Sequence, residues 1–237
     1  MKLDQNLAIA VFLFFGMVAF AQKNPDDLKQ GIQTQAKSLS ADAYAFTRTI
    51  RSEQSSGPKK EMKMEVEKFD PSKSADARWT LVSVNSAPPS ADDLKQFQKD
   101  SVKYRIPGYY RLASYFGSPA TTTTDARGRT TFRFIAPPEG TVMIFASDVS
   151  RNASIEASLN EGGGKPFVEQ VHYTVRPTRI KLLMKLESYE SIARYQPGPE
   201  GKPLLVEQVS DIVGSGMDSR GKLHQVTTYS DYRAVIR

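Results

Sequence analysis

The chain has 237 residues with 32 Lys+Arg, 26 Asp+Glu, a formal net charge of +6 and no cysteine. A chain of this length can bury a core without covalent cross-links, and 39% hydrophobic with 24% charged residues is an ordinary globular composition. The lack of cysteine excludes disulfide scaffolds, thiolate zinc centres, iron–sulfur ligation and cysteine nucleophiles.

Residues Met1–Ala21 have the pattern of a secretory signal peptide. Lys2 precedes an apolar run that starts at Leu7, and Ala19-Phe20-Ala21 has the form of a cleavage site. We therefore expect export to the periplasm and a mature chain that starts after this leader; a retained membrane anchor is the alternative. Lipid-anchored bacterial proteins need a Cys after the apolar run, so no lipid anchor is expected. Residues 22–237 are predicted to form a single domain, because no linker-like stretch divides them.

The mature chain begins with a predicted helix followed by a first group of strands. Apolar residues at spacings of four, four and three predict a helix over Pro25–Leu39, with Asn24 as its N-cap. The hydrophobic period then changes to two, which is typical of strands, and short turns join the strands into an antiparallel meander. The predicted strands of this first meander are Tyr44–Arg51, Met62–Glu67 and Arg78–Val84.

A helical insertion and a longer meander follow. Ser90 and Asp93 predict a capping box at the start of a helix over Ala91–Val102. A second short helix is predicted over Tyr109–Phe116, and Gly117–Thr124 is predicted to be a loop. Further strands are predicted around Thr131–Phe134, Thr141–Ala146, Ala153–Leu159, Phe167–Val175, Ile180–Glu187, Tyr189–Tyr195, Leu204–Val213 and His224–Val235. The fold class is therefore mainly β (α+β): about eleven strands in a strongly curved antiparallel sheet or unclosed half-barrel, with helices on its concave face.

No catalytic or metal-binding signature accompanies this pattern. His172 and His224 are the only histidines, and they lie on different strands without the spacing of a metal site, so hydrogen-bonded structural roles are expected. Gly214-Ser215-Gly216 is predicted to be a turn, and there is no G-x-S-x-G nucleophile motif. We therefore predict a protein that is not an enzyme, with no catalytic residue, metal or cofactor. The basic residues are dispersed, which does not favour nucleic-acid binding but allows transient contact with an anionic membrane surface.

The apolar strand faces provide the functional hypothesis. They are predicted to form a concave wall that binds an apolar ligand, covered by the helical insertion as a lid. The predicted ligand-binding residues are Trp79, Leu81, Phe132, Phe134, Ile180, Leu182, Met184 and Leu186. The predicted lid residues are Leu94, Phe97, Leu112, Tyr115 and Phe116. The alternative is a close-packed core, as in an envelope scaffold, sensor or accessory protein without a ligand.

The element order and three short segments resemble one known family. The segments are Phe69-Asp70-Pro71-Ser72 with Arg78–Val82, Pro88-Pro89-Ser90-Ala91 with Leu94 and Phe97, and Val226–Arg233. They are similar to proteobacterial envelope proteins with the LolA/LolB-like periplasmic lipoprotein-carrier fold. The resemblance implies an unclosed barrel that shields lipid or lipoprotein acyl chains, and a soluble carrier because the lipid-anchor Cys is absent. The expected partner is such an apolar ligand, an envelope protein is a second candidate partner, and the carrier itself is expected to be a monomer.

Overall fold

The computed structural model describes residues 24–162, 164–181, 184–216 and 219–235. The predicted leader and Leu182 lie outside these ranges. The helices are α1 (Pro25–Lys37), α2 (Ala91–Ser101) and α3 (Ala113–Phe116), with 3-10 turns at Tyr109–Leu112, Ser150–Asn152 and Pro199–Gly201. The strands are β1 (Tyr44–Ser56), β2 (Lys59–Phe69), β3 (Trp79–Val84), β4 (Thr121–Thr124), β5 (Thr130–Ile135), β6 (Met143–Ile144), β7 (Ser147–Asp148), β8 (Ala153–Asn160), β9 (Phe167–Val175), β10 (Thr178–Lys181), β11 (Met184–Pro197), β12 (Pro203–Ser215) and β13 (Arg220–Ala234).

The described part of the chain forms one 11-stranded sheet and a two-stranded hairpin, β6–β7. The sheet order is β3-β2-β1-β13-β12-β11-β9-β8-β5-β4, with β10 paired to β11, and every pairing is antiparallel. Strand β1 pairs with both β2 and β13, so the last strand joins the two meanders into one sheet. The sheet is not closed into a barrel. The predicted mainly-β class with a curved antiparallel sheet is confirmed.

Two helix starts follow directly from their capping residues. The Asn24 side chain accepts a hydrogen bond from the Asp26 amide at 3.0 Å, and Pro25 occupies the first turn of α1. At the start of α2, the Ser90 and Asp93 side chains each accept a hydrogen bond from the other residue's backbone amide, which completes a capping box. Both predicted helix starts are confirmed.

Two segments differ from the sequence prediction. Thr121–Thr124 was predicted to be a loop but forms β4, an exposed edge strand whose β-branched side chains suit extended backbone. The strand predicted over Thr141–Ala146 is limited to β6. It ends there because Phe145 and Ala146 adopt positive φ angles of 46° and 65°, which turn the chain back into β7.

The main core lies between the concave face of the sheet and the layer made by α1, the turn at Tyr109–Leu112 and α3. The Phe134 ring lies 5.1 Å from the rings of both Tyr115 and Phe116, measured between centroids. The Tyr109 hydroxyl donates to Gln35 Oε1 of α1 at 3.1 Å and accepts from the Val168 amide of β9 at 2.8 Å. This one buried hydroxyl therefore ties α1, the insertion and the sheet together.

Helix α2 is attached much less firmly than α1. Phe97 is its one buried residue, whereas Leu94 is 41% exposed. The Phe97 ring lies 6.0 Å from the ring of Tyr104, which in turn lies 5.6 Å from the ring of Trp79. None of the helices within the described ranges combines the length and apolar composition that a membrane crossing requires.

Candidate functional site

A cavity of about 600 Å³ lies beneath the insertion. We call residues 104–116 the insertion segment; with residues 140–143 it faces the concave side of β9, β11 and β12 across this space. Six of the lining residues are tyrosines: Tyr104, Tyr110, Tyr115, Tyr173, Tyr189 and Tyr195. Arg105 and Ser114 are exposed and form part of the rim, while Tyr195, Ala193 and Leu205 form a buried wall.

The strand period explains which side chains reach the cavity. Tyr189, Ala193 and Tyr195 lie on one face of β11, since alternate residues of a strand share a face. The pairing register places Gln208 of β12 opposite Ala193, and Gln208 also lines the cavity. The sequence pattern around Tyr189–Tyr195 predicted the strand correctly but did not indicate that its inward face is aromatic and polar.

The floor beside the cavity is polar although it is buried. Ser191 and Ser210 share a hydrogen bond of 2.8 Å between their hydroxyl groups, and Gln208 Nε2 donates to Ser191 Oγ at 3.1 Å. On β13, Gln225 Nε2 donates to Thr227 Oγ1 at 3.2 Å. These side chains satisfy one another, so the central strands carry a hydrogen-bonded band that was not predicted from the sequence.

The cavity has a positive electrostatic character. Arg105 and Arg111 both line it, and none of the lining residues, all within the described ranges, is acidic. Arg105 Nη1 donates to the Gly140 carbonyl at 2.8 Å, whereas Arg111 has no ion-pair partner in the described part of the chain. The buried Thr141 Oγ1 also has no hydrogen-bond partner there. The site therefore offers donors that the protein itself does not use.

Burial keeps Tyr104, Tyr115 and Tyr195 of the cavity protonated. It raises the pKa of Tyr104 to about 12 and raises the pKa values of Tyr115 and Tyr195 well above the ordinary tyrosine value. The hydroxyl groups of Tyr115 and Tyr173 lie 3.4 Å apart. At physiological pH these side chains are neutral hydrogen-bonding groups, so the formal charge of the cavity comes from its two arginines.

A buried ion pair lies next to the cavity, beneath α2. Arg48 Nε donates to Glu67 Oε2 at 2.6 Å, and the Glu67 side chain is only 1% exposed. The Arg48 guanidinium carbon lies 4.1 Å from the Trp79 ring centre and 4.6 Å from that of Tyr104. Burial raises the pKa of Glu67 although Arg48 acts in the opposite direction. This cluster was not predicted from the sequence. The signal that could have indicated it is Arg48, a charged residue on the same face of β1 as the apolar Phe46.

Seven of the eight predicted ligand-binding residues lie within the described ranges, and none of these seven lines the cavity. Phe132, Phe134, Leu81 and Leu186 are buried in packed regions, and Trp79 stacks on Arg48. Two further members of that set lie nearer the surface. Ile180 is half-buried against the core, and Met184 is 39% exposed. The face that was predicted to hold a ligand is in large part filled by the protein's own helical layer.

The predicted lid residues divide between two locations. Leu112, Tyr115 and Phe116 are buried in the main core, and of the five only Tyr115 lines the cavity. Leu94 and Phe97 belong to α2, on the side of the Arg48 cluster.

The two histidines make surface contacts with acidic residues. His172 Nε2 lies 2.8 Å from Glu190 Oε1, and His224 Nδ1 lies 2.8 Å from Asp211 Oδ1. Both are hydrogen-bonded, as predicted. Within the described residues there is no group of three or more His, Asp or Glu side chains that could hold a metal ion.

Comparison with known proteins gives likenesses in structure but not in sequence. No family model matches the chain, and no curated protein matches it. The chain is similar to a crystal structure of a LolA superfamily protein from Nitrosomonas europaea, with 10% identity, coverage of 88% of this chain and 94% of that chain, and a TM-score of 0.38. It is also similar to a DUF1329 family protein from Desulfovibrio piger, with 8% identity, coverage of 90% and 94%, and a TM-score of 0.29.

Proposed function

We propose that the protein is a periplasmic binding and carrier protein for a lipid-like ligand, that it has no catalytic activity, and that the tyrosine-lined cavity is its binding site. The observation that supports this most strongly is the cavity itself. Its volume of about 600 Å³ lies within the roughly 300–1,000 Å³ that is typical of small-molecule sites. A scaffold without a ligand needs no space of this size between its insertion segment and its sheet.

The lining is compatible with an apolar or aromatic ligand body. The faces of Tyr195 and Tyr115, with Leu205 and Val142, provide apolar surface in a partly enclosed space. Removal of a ligand's apolar area from water contributes about 25 cal/mol per Å², which is sufficient to drive uptake of a chain or ring system. Acyl chains of a lipid or lipoprotein belong to this class of ligand, and carriage would consist of uptake, sequestration and release to an envelope partner.

A cavity-filling variant tests the proposal. N-phenyl-1-naphthylamine is an uncharged fluorescent probe, and we expect the purified protein to bind it. Ala193→Phe places a ring in the cavity from the buried wall and is expected to weaken probe binding at least about tenfold, because the two rings compete for one space. Ser188→Phe adds the same ring at an exposed position of β11 and should leave binding unchanged.

Two results would contradict the proposal. One is a wild-type protein that binds no probe and yields no ligand when it is purified from its native compartment and its extract is examined by mass spectrometry. The other is an Ala193→Phe variant that retains a native circular-dichroism spectrum and binds as well as Ser188→Phe. Either result favours the scaffold with a packed core. Gln208→Trp fills the same space from β12, and it replaces Ala193→Phe in the probe-binding test if Ala193→Phe fails to fold.

A further inference from the structure

We propose that the cavity selects ligands with an anionic group, and that Arg111 is the residue that binds this group. The inference rests on the proposed function, since it assigns a ligand class to the same cavity. The ligand class is an anionic amphiphile: a carboxylate, sulfonate or phosphate attached to an apolar or aromatic body.

The position of Arg111 provides the first reason. Arg111 lies in the 3-10 turn of the insertion segment, lines the cavity and is only partly exposed. Its charge acts on the buried tyrosines of the opposite wall: burial raises the pKa values of Tyr173 and Tyr195, and Arg111 partly offsets both effects. The guanidinium charge is therefore directed towards the strands and not only towards bulk solvent.

The absence of a counter-charge provides the second reason. Arg111 has no acidic partner among the described residues, and the described lining residues include no Asp or Glu. A partly buried guanidinium without a partner is costly, because it loses hydration without gaining an ion pair. An anionic ligand would supply that partner, and guanidinium groups bind carboxylates and phosphates through two parallel hydrogen bonds. A cationic ligand would meet two like charges and no compensating one.

Unused hydrogen-bond donors provide the third reason. Thr141 Oγ1 is buried at the cavity without a partner, and the hydroxyl groups of Tyr189 and Tyr195 make no hydrogen bond within the described part of the chain. Buried polar groups are normally satisfied, so the unpaired Thr141 Oγ1 is unusual. All three hydroxyl groups can donate to an anion, and burial, which raises the pKa of Tyr195, keeps that donor protonated.

The loop that carries Thr141 is held in place before any ligand binds. Asp148 accepts hydrogen bonds from the Gly140 amide at 2.8 Å and from the Ser150 hydroxyl at 2.6 Å. The Ser150 hydroxyl in turn accepts from the Val142 amide at 2.9 Å. The residues on both sides of Thr141 are thus fixed, which reduces the entropy that binding would otherwise cost.

The test compares two competitors with the same tail and different heads. Sodium decanesulfonate and 1-decanol are titrated against N-phenyl-1-naphthylamine bound to the full chain. We expect the sulfonate to displace the probe at a concentration at least about tenfold lower than decanol, which corresponds to one charge-assisted hydrogen-bonded contact. Arg111→Gln should reduce this ratio to about one while probe affinity remains. Arg111→Lys should retain much of the preference, and Arg127→Gln, which removes one positive charge from an exposed turn outside the cavity, should retain all of it.

The outcomes separate the two proposals. Equal displacement by sulfonate and decanol in the wild-type protein overturns the anion inference and leaves the binding proposal intact. A preference that persists in Arg111→Gln removes Arg111 as the anion partner. Failure of the probe to bind, together with a native extract that yields no ligand, overturns the proposed function itself. If Arg111→Gln does not fold, the wild-type ratio together with Arg111→Lys still decides whether charge is selected.

Discussion

The two ends of the concave face are built in different ways. At one end, β5, β8 and β9 lie under α1 and α3, and their inward side chains form a continuous close-packed cluster around Phe132, Phe134 and Ile155. At the other end, α2 packs beside β3 and buries only Phe97, whose ring neighbours Tyr104, and Tyr104 in turn lies over Arg48 of the Arg48–Glu67 ion pair. The cavity lies between them. The close-packed end of the sheet supplies stability, and this stability allows the middle of the sheet to border an unfilled cavity.

Removal of a core ring should produce the largest effect. Phe134→Ala deletes a ring that is fully buried against Tyr115 and Phe116, and we expect it to lower the free energy of unfolding by about 3–5 kcal/mol. Ile135→Ala, the next residue on the opposite face and 58% exposed, should change it by no more than about 0.5 kcal/mol. Urea denaturation measures both. Equal effects of the two variants would mean that the packed end does not carry the stability.

The ion pair should be the next most sensitive feature. Arg48→Ala leaves the Glu67 carboxylate buried without its partner, and we expect a loss of about 3 kcal/mol at neutral pH. The double variant Arg48→Met/Glu67→Leu removes both charges and should recover most of this loss. A double variant that is as unstable as Arg48→Ala would show that packing of Arg48 on Trp79 matters more than the charge.

The same pair predicts a pH dependence with a definite sign. The pKa of Glu67 is raised in the folded state by burial, so the folded state holds this proton more strongly than the unfolded chain. The contribution of Glu67 to the free energy of unfolding is therefore most favourable below the ordinary glutamate pKa. It decreases as the pH rises through the raised pKa of the folded state. In Arg48→Ala the decrease should extend to higher pH, whereas Glu67→Gln should abolish it. Urea titrations at a series of pH values test this.

The buried polar band should show a smaller effect. Ser191→Ala removes the hydroxyl that Ser210 and Gln208 both contact, and we expect a loss of about 1–2 kcal/mol because their polar groups lose a partner. The double variant Ser191→Ala/Ser210→Ala should lose less than twice the stability that Ser191→Ala loses, since it removes both members of one hydrogen bond. Thermal unfolding monitored by circular dichroism gives both values, and fully additive losses would argue against a coupled band.

The sequence allowed prediction of the elements far better than of the site. Periodicity of two and capping residues such as Asn24 and Ser90 are local signals, and they predicted most strands and both long helices. The cavity depends on which strands become neighbours and on where the insertion packs, which local spacing does not encode. Tyr189 and Tyr195 were predicted only as strand residues and Arg111 only as part of a short helix, with no local signal that they line a cavity. Of the apolar residues that suggested a ligand site, Phe132, Phe134 and Leu186 fill the core instead.

The smallest effect should distinguish the two long helices. Asn24→Ala and Ser90→Ala each remove an N-cap that typically contributes about 1 kcal/mol. Because α1 is packed into the core, loss of its cap should lower the global stability by that amount. Helix α2 should instead fray locally, with faster amide hydrogen exchange in residues 91–101 and almost no change in Tm. Identical losses of Tm in both variants would show that α2 belongs to the same cooperative unit as α1.

The Tyr109 hydroxyl has a mechanical consequence. It is bonded to both α1 and a backbone amide of β9, so the part of the insertion that follows it is pinned at two points. The stretch before it, from Tyr104 to Gly108, is held by the ring contacts of Tyr104 and by the hydrogen bond from the exposed Arg105 to the Gly140 carbonyl, which can be exchanged for one to water without leaving a buried polar group unpaired. Tyr109 therefore acts as a fixed pivot. A bulky ligand would enter by displacing residues 104–108 about that pivot, while the core on its far side stays in place.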